Sequence, residues 1–354
     1  MTPSKILIIR LRRIGDVVMT TPALTLLKQH FPKARLTYLV EEPYRRLVEG
    51  HPGLDRVIAI PPKQRFKDFV RLIREVRREG YDILLDLHGG PRASWITFWS
   101  RAKIKAGYAI EGKGFLYDIR VSRRGENGPI HSVQNHANLV RALGAEFDDA
   151  EIPALSLPAA KPDEVEHVRA ILATEGQQPC HSERSEGSHP TSLVVLHIGA
   201  GNRFRDWGAK NIASLTELLS RLPNVKIALI GAAADQKAQA EILAQAKGPV
   251  IPLAGWLSLI EIRELIGRAA LFVGPDSGPM HLAASTATPI VAYFGPTLPA
   301  HFAPWRPQGN RTVILEKDIP CRPCKQRECL TNDFRCLLTI TPDEVFAACR
   351  PFLV

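Results

Sequence analysis

The 354-residue sequence lacks the patterns that mark membrane-spanning and secreted proteins. No apolar run reaches the roughly 20 residues that a membrane-spanning helix requires. The N-terminal residues show no signal-peptide pattern, because Met1–Lys5 lead directly into an apolar segment that arginines follow. We therefore expect a cytoplasmic protein, and its 45% hydrophobic content is sufficient for a globular core.

The sequence also lacks the signatures of several enzyme classes. It contains no G-x-x-x-x-G-K-[ST], no G-x-S-x-G and no H-E-x-x-H, which argues against a P-loop nucleotidase, an α/β-hydrolase and a zinc peptidase. The first strand-like segment is followed by a single glycine, Gly15, and Glu41 is a weak match for a ribose-binding acid. We therefore disfavour a nicotinamide-dependent oxidoreductase, which would carry G-x-G-x-x-G at this place.

Acidic residues are scarce in the first part of the chain. Residues 1–150 contain 26 Lys or Arg and only 16 Asp or Glu, whereas residues 151–354 contain 20 of each. The whole net charge of +10 therefore lies in the N-terminal part. Such a surface favours nucleic acid, anionic lipid, or a phosphorylated or carboxylated substrate. We expect no nucleic-acid binding, because the aromatic platforms and groove-reading helices of such binders are missing.

Four of the six cysteines lie in one segment, with the spacing Cys321-x2-Cys324-x4-Cys329-x6-Cys336, while Cys180 and Cys349 stand apart. Disulfides are rare in cytosolic proteins. The spacing leaves a zinc or iron–sulfur site open, but it matches no paired C-x2-C zinc pattern. We predict a Cys-rich tail, residues 321–349, that holds no metal, and a protein that requires no cofactor.

Strand-like and helix-like segments alternate along the whole chain, which predicts parallel sheets with helices on both faces. A boundary-like segment near Pro158 separates two such series. We therefore predict an α/β fold of two Rossmann-like domains that face a cleft, residues 1–158 and residues 159–354. Residues 175–192 contain almost no large apolar side chains, and we expect them to form a disordered insertion.

Residues 274–281, Gly-Pro-Asp-Ser-Gly-Pro-Met-His, form the most informative motif. They follow the apolar run 269–273 and precede the helix-like stretch 282–285, so we predict a strand, a tight loop and a helix start. The unpaired N–H groups of a helix N-terminus suit a phosphate, and Gly278 would let the backbone approach a ligand. Asp276, Ser277 and His281 are expected to offer side-chain hydrogen bonds beside this helix N-terminus. The simpler alternative is an ordinary capped helix.

A second motif near the N-terminus reads Arg13-Ile14-Gly15-Asp16-Val17-Val18. It follows the strand-like residues 6–9 and begins a helix that we expect to run through Leu27. Asp16 would then lie at the carboxyl end of a strand, where open α/β sheets bind their ligands. The alternative is that Asp16 only caps a helix.

A carboxylate in one half and a phosphate cradle in the other are the parts that a nucleotide-sugar transferase needs. The carboxylate takes a proton from the acceptor hydroxyl. The helix N-terminus and nearby cations stabilise the diphosphate that leaves.

These motifs resemble those of the bacterial lipopolysaccharide heptosyltransferases, glycosyltransferase family 9. The resemblance spans nearly the whole chain. It lies in the N-terminal segment 13–24, the middle loop 197–207, the donor loop 274–284, the segment 293–297 and the tail 321–345.

The resemblance implies a GT-B architecture and the inverting transfer of heptose from ADP-heptose to the lipopolysaccharide inner core. It implies Asp16 as the catalytic base. The implied donor-binding residues are Gly199, Arg205, Asp276, Ser277, Gly278 and His281. Arg205 stands where a lysine commonly contacts the diphosphate, and arginine keeps the charge and can bind in a bidentate manner.

The basic N-terminal half fits an anionic, lipid-linked acceptor that carries Kdo and phosphate, and peripheral contact with the inner membrane. Our candidates for acceptor binding are Lys63, Arg65, Lys67, Arg92 and His131. Two alternatives stay open: a GT-B transferase for another nucleotide sugar or glycan, and a noncatalytic nucleotide-sugar-binding protein. The second is disfavoured because a binding module needs no base.

Overall fold

The computed structural model describes residues 3–112, 114–125, 128–174, 192–246, 248–307 and 309–353. The chain divides into two units, Met1–Pro158 and Ala159–Val354. The predicted insertion, residues 175–192, lies outside the described residues except for Ser192, which begins a strand.

The first unit contains a six-stranded parallel sheet in the order β3-β2-β1-β4-β5-β6, and β7 and β8 form a separate antiparallel pair. The strands are β1 (Lys5–Ile9), β2 (Arg35–Glu41), β3 (Arg56–Ile60), β4 (Ile83–Asp86), β5 (Ile104–Tyr108), β6 (Ile119–Val121), β7 (Arg124–Gly125) and β8 (Gly128–Pro129). The helices are α1 (Ile14–Val18), α2 (Thr21–His30), α3 (Phe66–Glu79), α4 (Pro91–Trp99) and α5 (Ser132–Arg141).

The second unit repeats this plan with the sheet order β11-β10-β9-β12-β13-β14. Its strands are β9 (Ser192–His197), β10 (Val225–Ile230), β11 (Val250–Pro252), β12 (Leu271–Pro275), β13 (Ile290–Phe294) and β14 (Thr312–Glu316). Its helices are α6 (Pro162–Thr174), α7 (Ala209–Ser220), α8 (Gln236–Leu243), α9 (Leu259–Gly267), α10 (Gly278–Ala284), α11 (Pro299–Phe302), α12 (Arg335–Leu338) and α13 (Pro342–Cys349). Both sheets have the Rossmann strand order, which confirms the predicted α/β class with two Rossmann-like domains.

The central strands are apolar throughout because both faces of a parallel sheet are covered. Ile6, Leu7, Ile8 and Ile9 of β1 are fully buried. In the second unit Trp207 is buried as well, and its indole N–H donates to the carbonyl of Ile340 at 2.8 Å. No helix in the described ranges combines the length and the apolar character needed to cross a membrane.

In each sheet the strand order reverses beside the central strand, between β1 and β4 and between β9 and β12. At such a switch point the loops that leave the two strands diverge and open a crevice for a ligand. The loops after β1 and β12 carry the two motifs that the sequence singled out. Asp16 follows β1, and Asp276 follows β12.

The structure corrects the prediction of one helix from the Gly15 turn through Leu27. Two helices lie there, and α1 ends at Val18 before α2 begins at Thr21. The hydroxyl of Thr20 donates to the carbonyl of Val17 at 2.7 Å, so a side chain competes for a helix acceptor. Pro22, which has no N–H to donate, is accommodated in the first turn of α2.

We expect Gly107→Ala to lower the free energy of unfolding by about 1–3 kcal/mol through overpacking. Gly107 pairs with Asp86 across β5 and β4, and an added Cβ would lie 2.4 Å from the ring of Tyr117. That ring cannot move freely, because its hydroxyl donates to Asp86 at 2.7 Å. Urea unfolding measures the change. The matched control is Gly267→Ala at the end of α9, where the nearest atom would be 3.9 Å away; equal stability of the two variants would contradict the prediction.

Candidate functional site

Asp16 lies in α1 and is held by two groups of the same loop. Its Oδ1 is 2.6 Å from Nη2 of Arg10, and its Oδ2 accepts a hydrogen bond from the amide of Arg13 at 3.2 Å. The side chain of Asp16 is nevertheless 35% exposed. The carboxylate is therefore fixed in place by a cation and remains accessible from outside the domain.

The charge of Asp16 follows from the same contacts. Burial raises the pKa of Asp16, but the Arg10 guanidinium and the Arg13 amide together lower that pKa by more, so it lies below the ordinary aspartate value. Asp16 is thus a carboxylate across the neutral range and can accept a proton or a hydrogen bond.

Arg10 connects this carboxylate to the neighbouring strand. Its Nη1 donates to the carbonyl of Leu87, just after β4, at 2.5 Å. Asp86, the last residue of β4, accepts hydrogen bonds from the amides of His88 and Gly89 at 2.8 Å. Burial raises the pKa of Asp86 despite these bonds. The switch point of the first sheet therefore holds two carboxyl groups with opposite pKa shifts.

Two histidines complete this edge of the first sheet. Burial, assisted by the charge of Arg10, lowers the pKa of His88 to about 4 and takes the pKa of His136 well below its usual value. The His136 ring lies 2.6 Å from the hydroxyl of Tyr108. Both imidazoles are therefore neutral. The sequence interpretation missed Asp86 and His88, although Asp86-Leu87-His88 follows an apolar strand as Asp16 does.

In the second unit the donor-loop residue Asp276 organises a cation. Its Oδ2 lies 3.3 Å from Nη1 of Arg205 and accepts the hydroxyl of Thr297 at 2.6 Å. The side chain of Asp276 is only 4% exposed. Asp276 thus orients Arg205, and its own role in donor binding stays a prediction.

Arg205 has two further partners, and one of them lies in the Cys-rich tail. Its Nη1 donates to the carbonyl of Asp276 at 3.1 Å, and its Nε donates to Oε1 of Gln326 at 3.0 Å. Asn202 donates to the same Gln326 oxygen at 2.7 Å. The side chain of Arg205 is still 25% exposed. A positioned and partly exposed cation at this place can receive an anionic ligand.

The remaining predicted donor residues lie around the same strand ends. The Ser277 hydroxyl, at the N-cap of α10, is 3.0 Å from Nδ1 of His197. Burial lowers the pKa of His197 to about 3, so this ring is neutral. Gly278 is the first residue of α10, and His281 lies buried in the same helix.

Gly199 lies just after β9, where the side chain of Asp235 approaches the backbone so closely that only glycine fits. A Cβ at this position would lie 2.1 Å from Oδ2 of Asp235. That carboxylate also accepts the amide of Ala232 at 2.7 Å, just after β10. Asp235 was not among the predicted site residues, although an acid after the second strand of a Rossmann unit commonly binds ribose.

The Cys-rich tail contacts the segment 293–297 through one backbone amide and one arginine side chain. The amide of Cys324 donates to Pro296 at 3.2 Å, and Arg322 donates to the carbonyl of Thr297 at 2.7 Å. The four clustered cysteines line a cavity of ≈ 20 Å³ together with Phe204 and Phe334. In the described part of the chain, no three His, Cys, Asp or Glu side chains are arranged to hold a metal ion.

The acceptor candidates fall into two groups. Lys63, Arg65 and Lys67 are exposed at the start of α3. Arg92 is engaged within the fold: it donates to Glu41, Pro61, Pro62 and Gln64 at 2.7–3.1 Å. His131 begins α5, and its Nδ1 accepts the amide of Val133 at 3.2 Å. The role of all five in acceptor binding stays a prediction.

Known proteins share both the sequence pattern and the fold. A family model described as glycosyltransferase family 9 (heptosyltransferase) matches residues 69–334. The lipooligosaccharide heptosyltransferase 2 of Haemophilus ducreyi is 26% identical over 357 residues, which cover 96% of this chain and 97% of that protein. The family 9 glycosyltransferase of Veillonella parvula superposes with a TM-score of 0.83 at 22% identity. The superposition covers 99% of this chain and 97% of that chain. The E. coli heptosyltransferase WaaC with ADP superposes with a TM-score of 0.69 at 18% identity. The superposition covers 98% of this chain and 99% of that chain.

We expect Arg10→Gln to raise the pKa of Asp16, because the variant removes the cation that stabilises the carboxylate form. The carboxylate of Asp16 would then become protonated at a higher pH than in the parent protein. An NMR titration of the Asp16 carboxyl carbon measures the shift directly. The control is Arg12→Gln, which removes an exposed arginine of the same loop and should change the pKa less. An unchanged titration in Arg10→Gln would contradict the assignment.

Proposed function

Because this chain belongs to glycosyltransferase family 9 (heptosyltransferase), we propose that it transfers heptose from ADP-heptose to the lipopolysaccharide inner core with inversion. The names of its relatives state heptose transfer to lipopolysaccharide or lipooligosaccharide. WaaC has been solved with ADP and with ADP-2-deoxy-2-fluoro heptose. The observation in this chain that carries the proposal is Asp16, an accessible and ionised carboxylate at a sheet switch point.

Asp16 serves as the general base in this proposal. It accepts the proton of the acceptor hydroxyl while the hydroxyl oxygen forms a bond to the anomeric carbon of heptose. The bond from that carbon to the diphosphate breaks on the opposite face, so the configuration inverts and ADP leaves. The Arg10 guanidinium keeps Asp16 ionised before the reaction, and the proton passes to solvent afterwards.

The second unit stabilises the leaving diphosphate. Arg205 supplies a cation that Asp276 and Gln326 hold in position. Ser277 and the amides that follow it offer neutral donors. The lowered pKa of His197 keeps the ring of that residue, which lies beside Ser277, uncharged. Arginine forms bidentate contacts with phosphate oxygens. These groups can balance the developing charge, and we propose that no metal ion is required.

The first unit receives the acceptor. An inner-core acceptor that carries Kdo and phosphate is anionic, and residues 1–150 of the first unit hold the whole excess of basic residues. Lys63, Arg65 and Lys67 are exposed basic side chains of this unit, and Arg92 and His131 are the further candidates for acceptor binding. Since this acceptor is attached to lipid, we place the reaction at the cytoplasmic face of the inner membrane.

The test is product formation from defined substrates. The protein is incubated with ADP-heptose and inner-core acceptors truncated before each heptose, and the acceptor mass and ADP release are followed. We expect one heptosyl addition to one acceptor. Binding of ADP-heptose without transfer to any acceptor would favour the noncatalytic alternative. Transfer from a different nucleotide sugar only would favour the alternative transferase.

We expect Arg205→Ala to weaken ADP binding about tenfold or more in chelator-containing buffer, since hydrogen bonds to charged groups contribute about 1.5–3 kcal/mol. Arg205→Lys should recover part of this loss, because it restores the charge without the planar fork. Isothermal titration with ADP measures both. The control is Arg203→Ala, which removes a neighbouring arginine with no assigned role in the site. Equal affinities for the Arg205 variants and the parent would remove Arg205 from the donor site.

We expect Asp16→Asn to lower turnover about 10²–10⁴-fold, which is the usual effect of losing a general base. ADP affinity should stay near that of the parent, because the donor-binding residues lie in the other unit. Single-turnover kinetics and ADP titration separate the two effects. A folded variant with near-normal turnover would return Asp16 to a helix-capping role.

A further inference from the structure

We propose that an aromatic face of the first unit docks this protein on the surface of an anionic lipid bilayer. The aromatic face is defined as Phe66 at the start of α3 and Trp95, Phe98 and Trp99 on α4. The inference deepens the proposed function, since a lipid-linked acceptor would be presented at such a surface. It rests on four side chains whose exposure has no explanation within the fold.

The aromatic face is unusually exposed for its residue types. The exposed fractions are 80% for Phe66, 59% for Trp95, 46% for Phe98 and 42% for Trp99. Large aromatic side chains are mostly buried in globular proteins. Positions 95, 98 and 99 have the spacing i, i+3 and i+4, so they share one side of α4. The outward side of this helix is therefore apolar where a soluble surface would be polar.

The rings are ordered by one another and by the neighbouring helix. The rings of Trp95 and Phe98 are arranged edge to face with their centroids 6.4 Å apart. Phe98 and Trp99 have the same arrangement, with their ring centroids 5.1 Å apart. Arg77 of α3 lies 5.5 Å from the centre of the Trp99 ring and donates to its carbonyl at 2.7 Å. Binding would therefore require little further ordering of these side chains, which favours affinity.

An open cavity separates the start of α3 from α4. Its volume is ≈ 670 Å³, and its lining includes Phe66, Phe69, Trp95 and Trp99. Arg92 holds the adjoining loop by donating to the carbonyls of Pro61 and Pro62. A cavity of this size can accept the glycerol region of a lipid while the rings lie at the level of the headgroups.

Basic residues surround the aromatic face. Residues 61–79 contain seven Lys or Arg and three Asp or Glu, and residues 91–103 contain three basic residues and no acidic one. Two of the three acids, Glu75 and Glu79, are paired with Arg56. The exposed basic side chains on α3 and just before it are Lys63, Arg65, Lys67, Arg71, Arg74 and Arg78.

This combination fits an anionic bilayer better than other partners. Trp and Phe beside Lys and Arg are typical of helices that lie in the membrane interface. Single-stranded nucleic acid stacks on open ring faces, whereas these rings pack at 87° and 88° to one another. A second copy would bring two positively charged surfaces together.

The experiment uses the full chain and vesicles of equimolar phosphatidylethanolamine and phosphatidylglycerol, with phosphatidylcholine vesicles for comparison. We expect flotation with the anionic vesicles, weaker at high salt, and little with phosphatidylcholine. The triple variant Trp95→Ser, Phe98→Ser, Trp99→Ser should bind the anionic vesicles about tenfold more weakly or worse. The matched control is Trp256→Ser, which removes a 67% exposed tryptophan from the second unit and should bind as the parent does.

Three results would overturn the proposal: no flotation of the parent, equal binding of the triple variant, or binding of RNA in place of vesicles. Loss of a dimer in the triple variant, with no vesicle binding by the parent, would assign the face to a second copy. Tryptophan fluorescence gives a further check, because Trp95→Leu lacks one tryptophan of the aromatic face whereas Trp256→Ser keeps both. The blue shift of the emission on adding vesicles should therefore be smaller for Trp95→Leu. A larger blue shift for Trp95→Leu would count against the proposal.

Turnover with a soluble, deacylated acceptor separates this proposal from the proposed function. The triple variant should convert that acceptor as the parent does, because docking is not needed for it. A loss of turnover there would place the aromatic face in acceptor recognition and overturn the docking role. If the parent converts no acceptor, the proposed function fails while the vesicle result still decides the docking surface.

Discussion

The parallel arrangement of both sheets is the constraint on which the sites depend. When all strands of a sheet run in one direction, every residue that follows a strand lies at the same edge. Asp16 after β1 and Asp86 at the end of β4 are brought together in this way, 70 positions apart in sequence order. Arg10 then joins the two strand ends through Asp16 and the carbonyl of Leu87. The site chemistry is thus a consequence of strand direction and order.

The two motif carboxylates show how exposure separates their roles. Each lies beside an arginine: Asp16 beside Arg10, and Asp276 beside Arg205. The side chain of Asp16 is 35% exposed while that of Arg10 is 10% exposed, whereas Asp276 is 4% exposed and Arg205 is 25% exposed. In the first pair the cation supports an accessible anion. In the second pair the anion supports an accessible cation, which suits a site for an anionic donor.

Much of the fold could be predicted from the sequence where the apolar pattern is strong. The apolar and charged residues of positions 66–79 recur with the helical period, and the helix that this pattern predicts coincides with α3. The break between α1 and α2 could not be read from that period, because it depends on hydroxyl groups that bond to helix carbonyls. Asp16 was selected because it follows a glycine turn. Arg10 and Asp86 were not, because the contacts that tie them into the site include long-range ones, from Arg10 to Leu87 and from Tyr117 to Asp86, that span 77 and 31 positions.

The apolar pattern of the sequence does not predict α4, and the outer surface of that helix explains why. A helix is recognised by an apolar stripe against a polar background, but Pro91–Trp99 carries aromatic residues on its outer side as well. These rings contact one another and Arg77 but lie outside the buried core of the first unit. Covering these rings with another apolar surface would remove their exposed area from water, which is favourable. The basic segment that we propose for the anionic acceptor lies beside them, so the proposed docking surface and the proposed acceptor site would share one face of the first unit.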